Sequence, residues 1–416
     1  MSDFTKNDAK GETSAQATEA EGPVLSPAEG FQTGRVVSIT FGHAVHDTYT
    51  AFLAPLLPVF IAKLSLSMTE AGMLEFLRAA PSLLQPFIGH LADRASLRYL
   101  VILGPAVTAT TMSLVGIAPN YAVLALLVML AGLSVAAFHA VAPAMAGRLS
   151  GRSLGWGMGL WMVGGTLGFA VGPIVIVSAV NSLTLEGTPW LMIGGLLASA
   201  ILYVRLKDVP ARPQTTGQGI SFRQALGIMR PLLAPLVGII VARVLLVSAM
   251  YTFLPTFLTE EGANLWFAGT SVSIVAATGM VGSLLAGSLS DRIGRRSVIF
   301  ISMFTAPLLT FLFLGLDGWA RLPVLAAIGI TGPAVRTVLM VLVQESHPEN
   351  RALANGIYLS LSFIMEAMGA AVLGGLGDLF GLRLAFIISA AISLLGLPLI
   401  FLLPGKGSAP PEAAEP

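Results

Sequence analysis

The sequence predicts an all-α membrane protein with twelve transmembrane helices in two pseudo-symmetric six-helix bundles. Of its 416 residues, 55% are hydrophobic and only 11% are charged, whereas about 25% of the residues of a soluble domain are charged. Its apolar runs are long enough to cross about 30 Å of hydrocarbon. A short charged loop, Gly-x-Leu-x-Asp-Arg, occurs twice, at residues 89–94 and 287–292. A loop repeated at corresponding places indicates a duplicated bundle.

Twelve apolar runs divide the chain into two sets of six helices. We predict spans at 36–62, 71–91, 97–117, 121–146, 155–180, 188–206, 231–258, 265–289, 297–316, 321–345, 353–377 and 382–403. The N-terminal bundle then covers 35–206 and the C-terminal bundle 231–404, with a cytoplasmic linker at 207–230. The polar ends, 1–34 and 405–416, are predicted to be disordered cytoplasmic tails.

The basic residues predict the orientation of the chain. If the N-terminus is cytoplasmic, the cytoplasmic side collects most lysines and arginines, and the opposite side has only Lys63, Arg321 and Arg383. Cytoplasmic loops of membrane proteins carry an excess of these residues. We therefore predict a multi-pass protein of the cell (plasma or inner) membrane with both termini in the cytoplasm.

Three segments resemble a known family. They are residues 42–47 (Gly-His-Ala-Val-His-Asp) in span 1, residues 81–89 in span 2, and Phe138-His139 in span 4. With the repeated loop, they make the chain similar to the major facilitator superfamily, and within it to the fosmidomycin-resistance type of exporter. The resemblance implies the major facilitator fold, a central cavity lined by helices 1, 4, 7 and 10, and transport by alternating access. After Phe138-His139 that exporter type has Pro-Glu where this chain has Ala-Val, so the resemblance carries over no substrate.

The repeated loop is the predicted gate. In the superfamily it is thought to lock the outward-facing state, because a loop carboxylate can accept hydrogen bonds from a neighbouring helix N-terminus. The predicted gating residues are Asp93, Arg94, Asp291, Arg292, Arg295 and Arg296. The alternative is a solvated loop that only sets the topology.

Charged side chains inside the membrane cost at least a few kcal/mol unless they face a cavity or a partner. His43 and Asp47 lie four residues apart, hence on one face of a helix, at a depth near the bilayer midplane. A carboxylate beside an imidazole can load and release a proton. We predict that Asp47 and His43 carry protons, with Glu366 in span 11 as a second carrier. The alternative is a buried hydrogen-bonded pair with a structural role.

The repeat relates polar positions in the two halves. His46 corresponds to Arg243 and His139 to Arg336, both at an offset of 197 residues. We predict that these four residues, with Trp161, bind substrate. The planar fork of arginine suits a carboxylate, phosphate or phosphonate. The alternative is that both arginines form salt bridges with the intramembrane carboxylates.

Span 5 resembles the antiporter signature of proton-driven exporters in the superfamily. It carries Gly159, Gly168, Gly172 and Pro173. Glycines allow two helices to approach closely, and proline permits bending. We predict that these residues pack helices and favour export; ordinary small-residue packing is the alternative.

Several classes of site are excluded or unsupported. The chain has no cysteine, which excludes disulfides and thiol chemistry, and it has no phosphate-binding loop motif. No set of His, Asp and Glu has metal-ligand spacing, so we expect no metal and no cofactor. The prediction is a monomeric secondary transporter, not an enzyme. Its partners are a small-molecule substrate, protons and the lipid bilayer, without nucleic acid. The most favoured function is proton-coupled export of a small organic, anionic compound or drug; uptake by substrate–proton symport, or a receptor or scaffold on a transporter fold, are the alternatives.

Overall fold

A computed structural model describes residues 30–92, 97–209, 222–346 and 351–403, and within these ranges the chain forms helices without strands. The sixteen α-helices are α1 (Thr33–Thr50), α2 (Leu53–Leu64), α3 (Met68–Ala79), α4 (Gln85–Ala92), α5 (Arg98–Leu114), α6 (Tyr121–Leu149), α7 (Leu154–Leu183), α8 (Met192–Leu206), α9 (Phe222–Ser248), α10 (Leu254–Glu260), α11 (Leu265–Ile293), α12 (Arg295–Leu314), α13 (Arg321–Thr331), α14 (Ala334–Ser346), α15 (Arg351–Phe380) and α16 (Leu382–Leu395). This confirms the predicted all-α membrane fold.

The helices account for the twelve predicted spans. Span 1 comprises α1 and α2, span 7 comprises α9 and α10 joined by a π-helical turn, and span 10 comprises α13 and α14. Eleven segments of the described chain are long and apolar enough to cross a membrane. The second predicted span is continuous as α3, a 3₁₀ turn and α4, but it is less apolar because it carries Glu75, Arg78 and Gln85.

The chain divides into an N-terminal half (α1–α8) and a C-terminal half (α9–α16). Within the N-terminal half, α1 packs along α7, and α5 packs between α6 and α8; within the C-terminal half, α11 packs on α13, and α9 packs on α15 and α16. The predicted linker at 207–230 is shorter in the structure, because α9 begins at Phe222. The predicted tails lie almost wholly outside the described residues.

The close packing of α7 on α1 depends on glycines. Gly164, Gly168 and Gly172 lie four residues apart and face the backbone of α1, where an added Cβ would collide with a carbonyl oxygen at each position. Pro173 lies inside the same helix. Gly159 is different: it is exposed and an added Cβ there would meet no atom within 4 Å. The packing role predicted for Gly159 is therefore wrong, because among the described residues no helix covers this face of α7.

The two halves meet at the end of the bundle opposite Thr33, where α1 begins, and Leu403, where the described chain ends. We call this end the far face and the other end the termini side. There α3 packs on α15, and α2 packs on α10. The Asp378 carboxylate, near the end of α15, accepts hydrogen bonds from the backbone N–H groups of Met68 (2.7 Å) and Thr69 (2.9 Å) and from the Thr69 hydroxyl (2.5 Å). A C-terminal-half carboxylate thus caps the N-terminus of α3, where the helix dipole favours negative charge. The far face is closed in this conformation.

An ion cluster joins helices of the C-terminal half at the same face. Glu261, just after α10, accepts hydrogen bonds from Arg321 (3.1 Å) and Arg383 (3.1 Å). Burial raises the pKa of the Glu261 carboxyl, but the hydrogen bond from Arg321 and the charges of both arginines outweigh burial, so this pKa lies below its ordinary value of 4.5. The cluster is therefore stronger when Glu261 is ionised.

Candidate functional site

The N-terminal half brings three predicted residues into one cluster. On α1, the Nε2 atom of His43 lies 3.2 Å from Oδ2 of Asp47. From α6, the Nε2 atom of His139 lies 3.2 Å from Nε2 of His43 and 3.7 Å from Oδ1 of Asp47. The spacing of His43 and Asp47 follows from one turn of helix, whereas His139 arrives through the packing of α6 on α1.

Backbone carbonyl groups fix the tautomers of two of these imidazoles. His43 Nδ1 lies 2.8 Å from the carbonyl oxygen of Trp161, and His139 Nδ1 lies 3.0 Å from that of Val135. A carbonyl oxygen only accepts, so each Nδ1 carries a hydrogen and each neutral ring has its lone pair on Nε2. Trp161 also stacks on His43 with ring centroids 4.0 Å apart, which holds the imidazole in place.

His46 is a third imidazole in contact with Asp47. Its side chain is fully buried, with Nδ1 3.0 Å from Oδ1 of Asp47 and Nε2 3.1 Å from the Thr108 hydroxyl oxygen. That hydroxyl also lies 2.9 Å from the Ser134 hydroxyl oxygen. Because a carboxylate only accepts, Nδ1 of a neutral His46 carries the hydrogen and donates to Asp47, and its Nε2 accepts from the Thr108 hydroxyl. His46 is thus placed to hold the carboxylate rather than to face an open space.

The cluster has more acceptors than donors. With neutral imidazoles and an ionised Asp47, the Nε2 lone pairs of His43 and His139 point at a carboxylate and at each other. Lone pairs at these distances repel unless a cation lies between them, whether a proton or a metal ion. The expectation that no residues form a metal-ligand set is therefore corrected: the ligand atoms of His43, Asp47 and His139 lie within 4.8 Å of one another. Sequence spacing missed this set because His139 is distant in the chain.

The C-terminal half holds the two predicted arginines. Arg243 on α9 is 8% exposed and donates to the carbonyl oxygen of Gly332 (3.3 Å). Arg336 on α14 pairs with Glu366 on α15 at 3.6 Å and stacks over the Phe363 ring. Within the described residues, Arg336 forms a salt bridge, whereas Arg243 forms none and interacts with Glu366 only over a longer distance. Arg243 also lines a small cavity with apolar residues of α9 and α13.

Arg78 connects the two clusters. It pairs with Glu75 on its own helix, with Nε 2.9 Å from the carboxylate, and it also interacts electrostatically with Asp47 and Glu366. The packing of α3 on α15 brings Arg78 within electrostatic range of a carboxylate of the C-terminal half as well as of Asp47. The charges of the two halves therefore influence each other through Arg78, which the sequence analysis did not assign to the site.

The second copy of the repeated loop forms a local ionic cluster. Arg295 pairs with Asp291 (2.6 Å) and with Glu345 at the end of α14 (2.6 Å). Arg296 donates to the carbonyl oxygen of Leu403, and Arg292 is exposed. These contacts all lie within the C-terminal half. In the first copy, Asp93 and Arg94 lie outside the described residues.

Comparisons with known proteins agree with this architecture. The family model described as "Major Facilitator Superfamily" matches residues 39–365 and 268–416. The chain is 27% identical to the "Uncharacterized MFS-type transporter YfnC" of Bacillus subtilis and 24% identical to the "Fosmidomycin resistance protein" of Escherichia coli, in each case over 89% of this chain and 92% of the relative.

Solved structures share the fold at low identity. The nucleoside transporter NupG aligns with a TM-score of 0.69 at 16% identity, covering 89% of this chain and 98% of that one. The D-xylose-proton symporter aligns with a TM-score of 0.70 at 16% identity, covering 90% of this chain and 98% of that one.

Proposed function

The chain belongs to the major facilitator superfamily of multi-pass membrane transporters, and on that basis we propose that it is a proton-coupled exporter of a small organic anion. The observation that carries the proposal is the convergence of three imidazoles on one buried carboxylate. Ionisable side chains are rare inside membrane segments because they are costly there, and where they occur they mark substrate and ion pathways.

Asp47 is the proposed coupling carboxylate. The lone pairs of His43 and His139 face it, so the cluster is satisfied only when at least one extra proton occupies the space between them. His43 and Asp47 share that proton, and His46 holds the carboxylate in position. Glu366 is the second proposed carrier; it pairs with Arg336 and interacts electrostatically with Arg78.

Arg243 is the proposed anion-binding residue. Its guanidinium is buried and, among the described residues, donates to a carbonyl oxygen and forms no salt bridge, with Glu366 acting on it only over a longer distance. Arginine keeps its charge in proteins, so a buried guanidinium with a neutral partner favours an anionic group nearby. Arg336, His139 and Trp161 are the further proposed contacts of a carboxylate, phosphate or phosphonate substrate.

Export is the proposed direction of transport. A relative of similar length is named for resistance to fosmidomycin, and the glycine pattern of α7 resembles that of proton-driven antiporters. The second candidate is uptake by symport, because one protein with the same fold is a D-xylose–proton symporter.

We further propose that both termini are cytoplasmic and that the protein acts as a monomer. We also propose that the two repeated loops lock the state in which the termini side is closed.

A resistance screen followed by vesicle transport tests this function. Cells expressing the chain are challenged with toxic organic anions, beginning with fosmidomycin, and protected compounds are assayed in everted membrane vesicles. Export by antiport predicts proton-driven accumulation inside everted vesicles; accumulation only in right-side-out vesicles indicates symport, and protection limited to lipophilic cations contradicts the anion assignment.

The anion site has its own variant pair. Arg243→Lys keeps the charge but loses the bidentate fork, so we expect it to weaken substrate binding severalfold. Arg205→Lys, at an exposed position near the end of α8, is the matched control and should bind substrate like the unmodified protein.

A further inference from the structure

We propose that His43, Asp47 and His139 form a binding site for a divalent first-row transition metal ion, such as Zn²⁺ or Co²⁺. This inference goes beyond the proposed function, which assigns only protons and an organic anion to the region.

The separations of the ligand atoms fit a metal. A tetrahedral site with metal–ligand bonds of about 2.1 Å holds its ligand atoms about 3.4 Å apart. The two Nε2 atoms lie 3.2 Å apart, and the distances from the carboxylate oxygens to His43 and His139 are 3.2 Å and 3.7 Å. The first of these carboxylate distances is to Oδ2 and the second to Oδ1, and with one ligand atom from each residue the set lies within 4.8 Å. The three side chains therefore lie close enough to bind one metal ion once the carboxylate turns a single oxygen towards both imidazoles.

The surrounding groups orient the ligands as metal sites require. A metal-binding imidazole almost always donates its other ring N–H to a carbonyl or carboxylate, which fixes the tautomer and directs the lone pair at the metal. His43 does so to Trp161 (2.8 Å) and His139 to Val135 (3.0 Å). The carboxylate is fixed in turn by His46 (3.0 Å). All three ligands thus have a partner outside the site.

The ligand set also indicates the class of metal and an open position. Two imidazoles and one carboxylate suit zinc, cobalt, nickel and ferrous ions rather than magnesium or calcium, which prefer oxygen ligands. His139 and Asp47 keep 24% and 15% of their side-chain surface exposed, whereas His43 keeps 4%. A fourth ligand can therefore approach from the side of His139 and Asp47. If the site binds a free metal ion, this fourth ligand is a water molecule. If it binds a metal chelate, the fourth ligand is an anionic group of the chelating molecule.

Cobalt binding to the purified full-length protein tests the site. Protein in detergent is stripped with a chelator and titrated with Co²⁺ at constant pH, and binding is followed by the visible d–d absorption of tetrahedral Co²⁺ and by its displacement with Zn²⁺. The expected result is one Co²⁺ per chain with tetrahedral bands. Loss of a group that hydrogen-bonds to a metal ligand typically weakens metal binding about 10- to 100-fold. Loss of a ligand itself should weaken Co²⁺ binding at least as much, and the variants that test this are His43→Gln, His139→Asn and Asp47→Asn.

Matched controls separate this site from surface binding. Asp208→Asn removes an exposed carboxylate after α8, and His347→Asn removes a histidine that does not belong to the triad; both should bind Co²⁺ like the unmodified protein. The proposal is overturned if tetrahedral bands do not form in the unmodified protein, or if the triad variants keep them. Thermal melting confirms that each variant is folded.

Transport measurements separate the metal site from the proposed function. Proteoliposomes containing a zinc-sensitive dye report entry of Zn²⁺ supplied alone, and adding an organic anion that chelates zinc distinguishes a free ion from a chelate. Proton-driven transport of the organic substrate is measured in parallel in buffer containing a chelator. If Co²⁺ fails to bind while that transport persists, the metal proposal falls and the proposed function stands.

Discussion

Removing the Asp378 carboxylate is expected to open the far face. This side chain caps the N-terminus of α3 across the boundary between the halves through three hydrogen bonds, so its contribution exists only when the far face is closed. Because the contact is exposed to solvent, we take the value of a helix cap, about 0.5–2 kcal/mol, rather than that of a buried charged hydrogen bond. A loss of about 0.5–2 kcal/mol changes the ratio of closed to open molecules by about 2- to 30-fold. Asp378→Asn, which keeps one acceptor oxygen, should shift the ratio less than Asp378→Ala.

Spin labels across the far face measure this ratio. The chain has no cysteine, so two introduced cysteines give a single spin-label pair for distance measurement by pulsed electron paramagnetic resonance. Glu186→Cys and Asp317→Cys supply one exposed position in each half. Glu70→Gln is the matched control, because Glu70 caps the same helix through Ser67 of its own half (2.8 Å). Asp378→Ala should increase the long-distance population and Glu70→Gln should not. If Asp378→Ala leaves the distance distribution unchanged, the cap does not hold the far face closed.

Three further changes test other parts of the structure. Gly165→Ala would place a methyl group against the His43–Asp47 pair, so it should lower proton-driven transport at least several-fold. The control Gly159→Ala adds a methyl group in open space and should transport normally. Equal activities of the two variants would contradict the packing described here. Asp291→Asn removes a carboxylate partner of Arg295 and should weaken closure of the termini side more than Asp93→Asn does. The yield of crosslinks between the two halves at the termini side measures this closure. Equal yields in both variants and in the unmodified protein would refute the gating role of the loops. Because folding lowers the pKa of Glu261, its ion cluster stabilises the protein above the unfolded pKa and loses that effect as pH falls through the lowered folded pKa. Glu261→Gln should therefore flatten the acid side of the plot of melting temperature against pH, and an unaltered plot would exclude the cluster as a source of stability.

The fold could be predicted because its signals are local and repeated. Apolar length defines most spans, and the second loop copy identifies the duplication without any tertiary information. The ends of the helices could be predicted less well, because the polar first turns of a helix carry no hydropathy signal. Helix α9, for example, begins at Phe222, well before the apolar run that starts at 231. The exposed position of Gly159 could not be predicted either, since a glycine motif does not say which face another helix covers.

The candidate site was predictable only where its residues share a helix. His43 and Asp47 are one turn apart, so their contact follows from helix geometry. The approach of His139 to both depends on how α6 packs on α1, and no local pattern encodes that distance. The same holds for Arg78, which comes within electrostatic range of Glu366 because α3 packs on α15.

Gradient-driven transport by Asp47→Asn tests the central claim most directly. In proteoliposomes, substrate exchange without net proton movement reports binding and alternation, whereas accumulation driven by a pH gradient also requires the coupling proton. The compound is the one selected by the resistance screen, and Asp208→Asn is the matched control. We predict that Asp47→Asn retains exchange and loses gradient-driven accumulation, while Asp208→Asn retains both. Full gradient-driven accumulation by Asp47→Asn would contradict the role of this carboxylate in coupling.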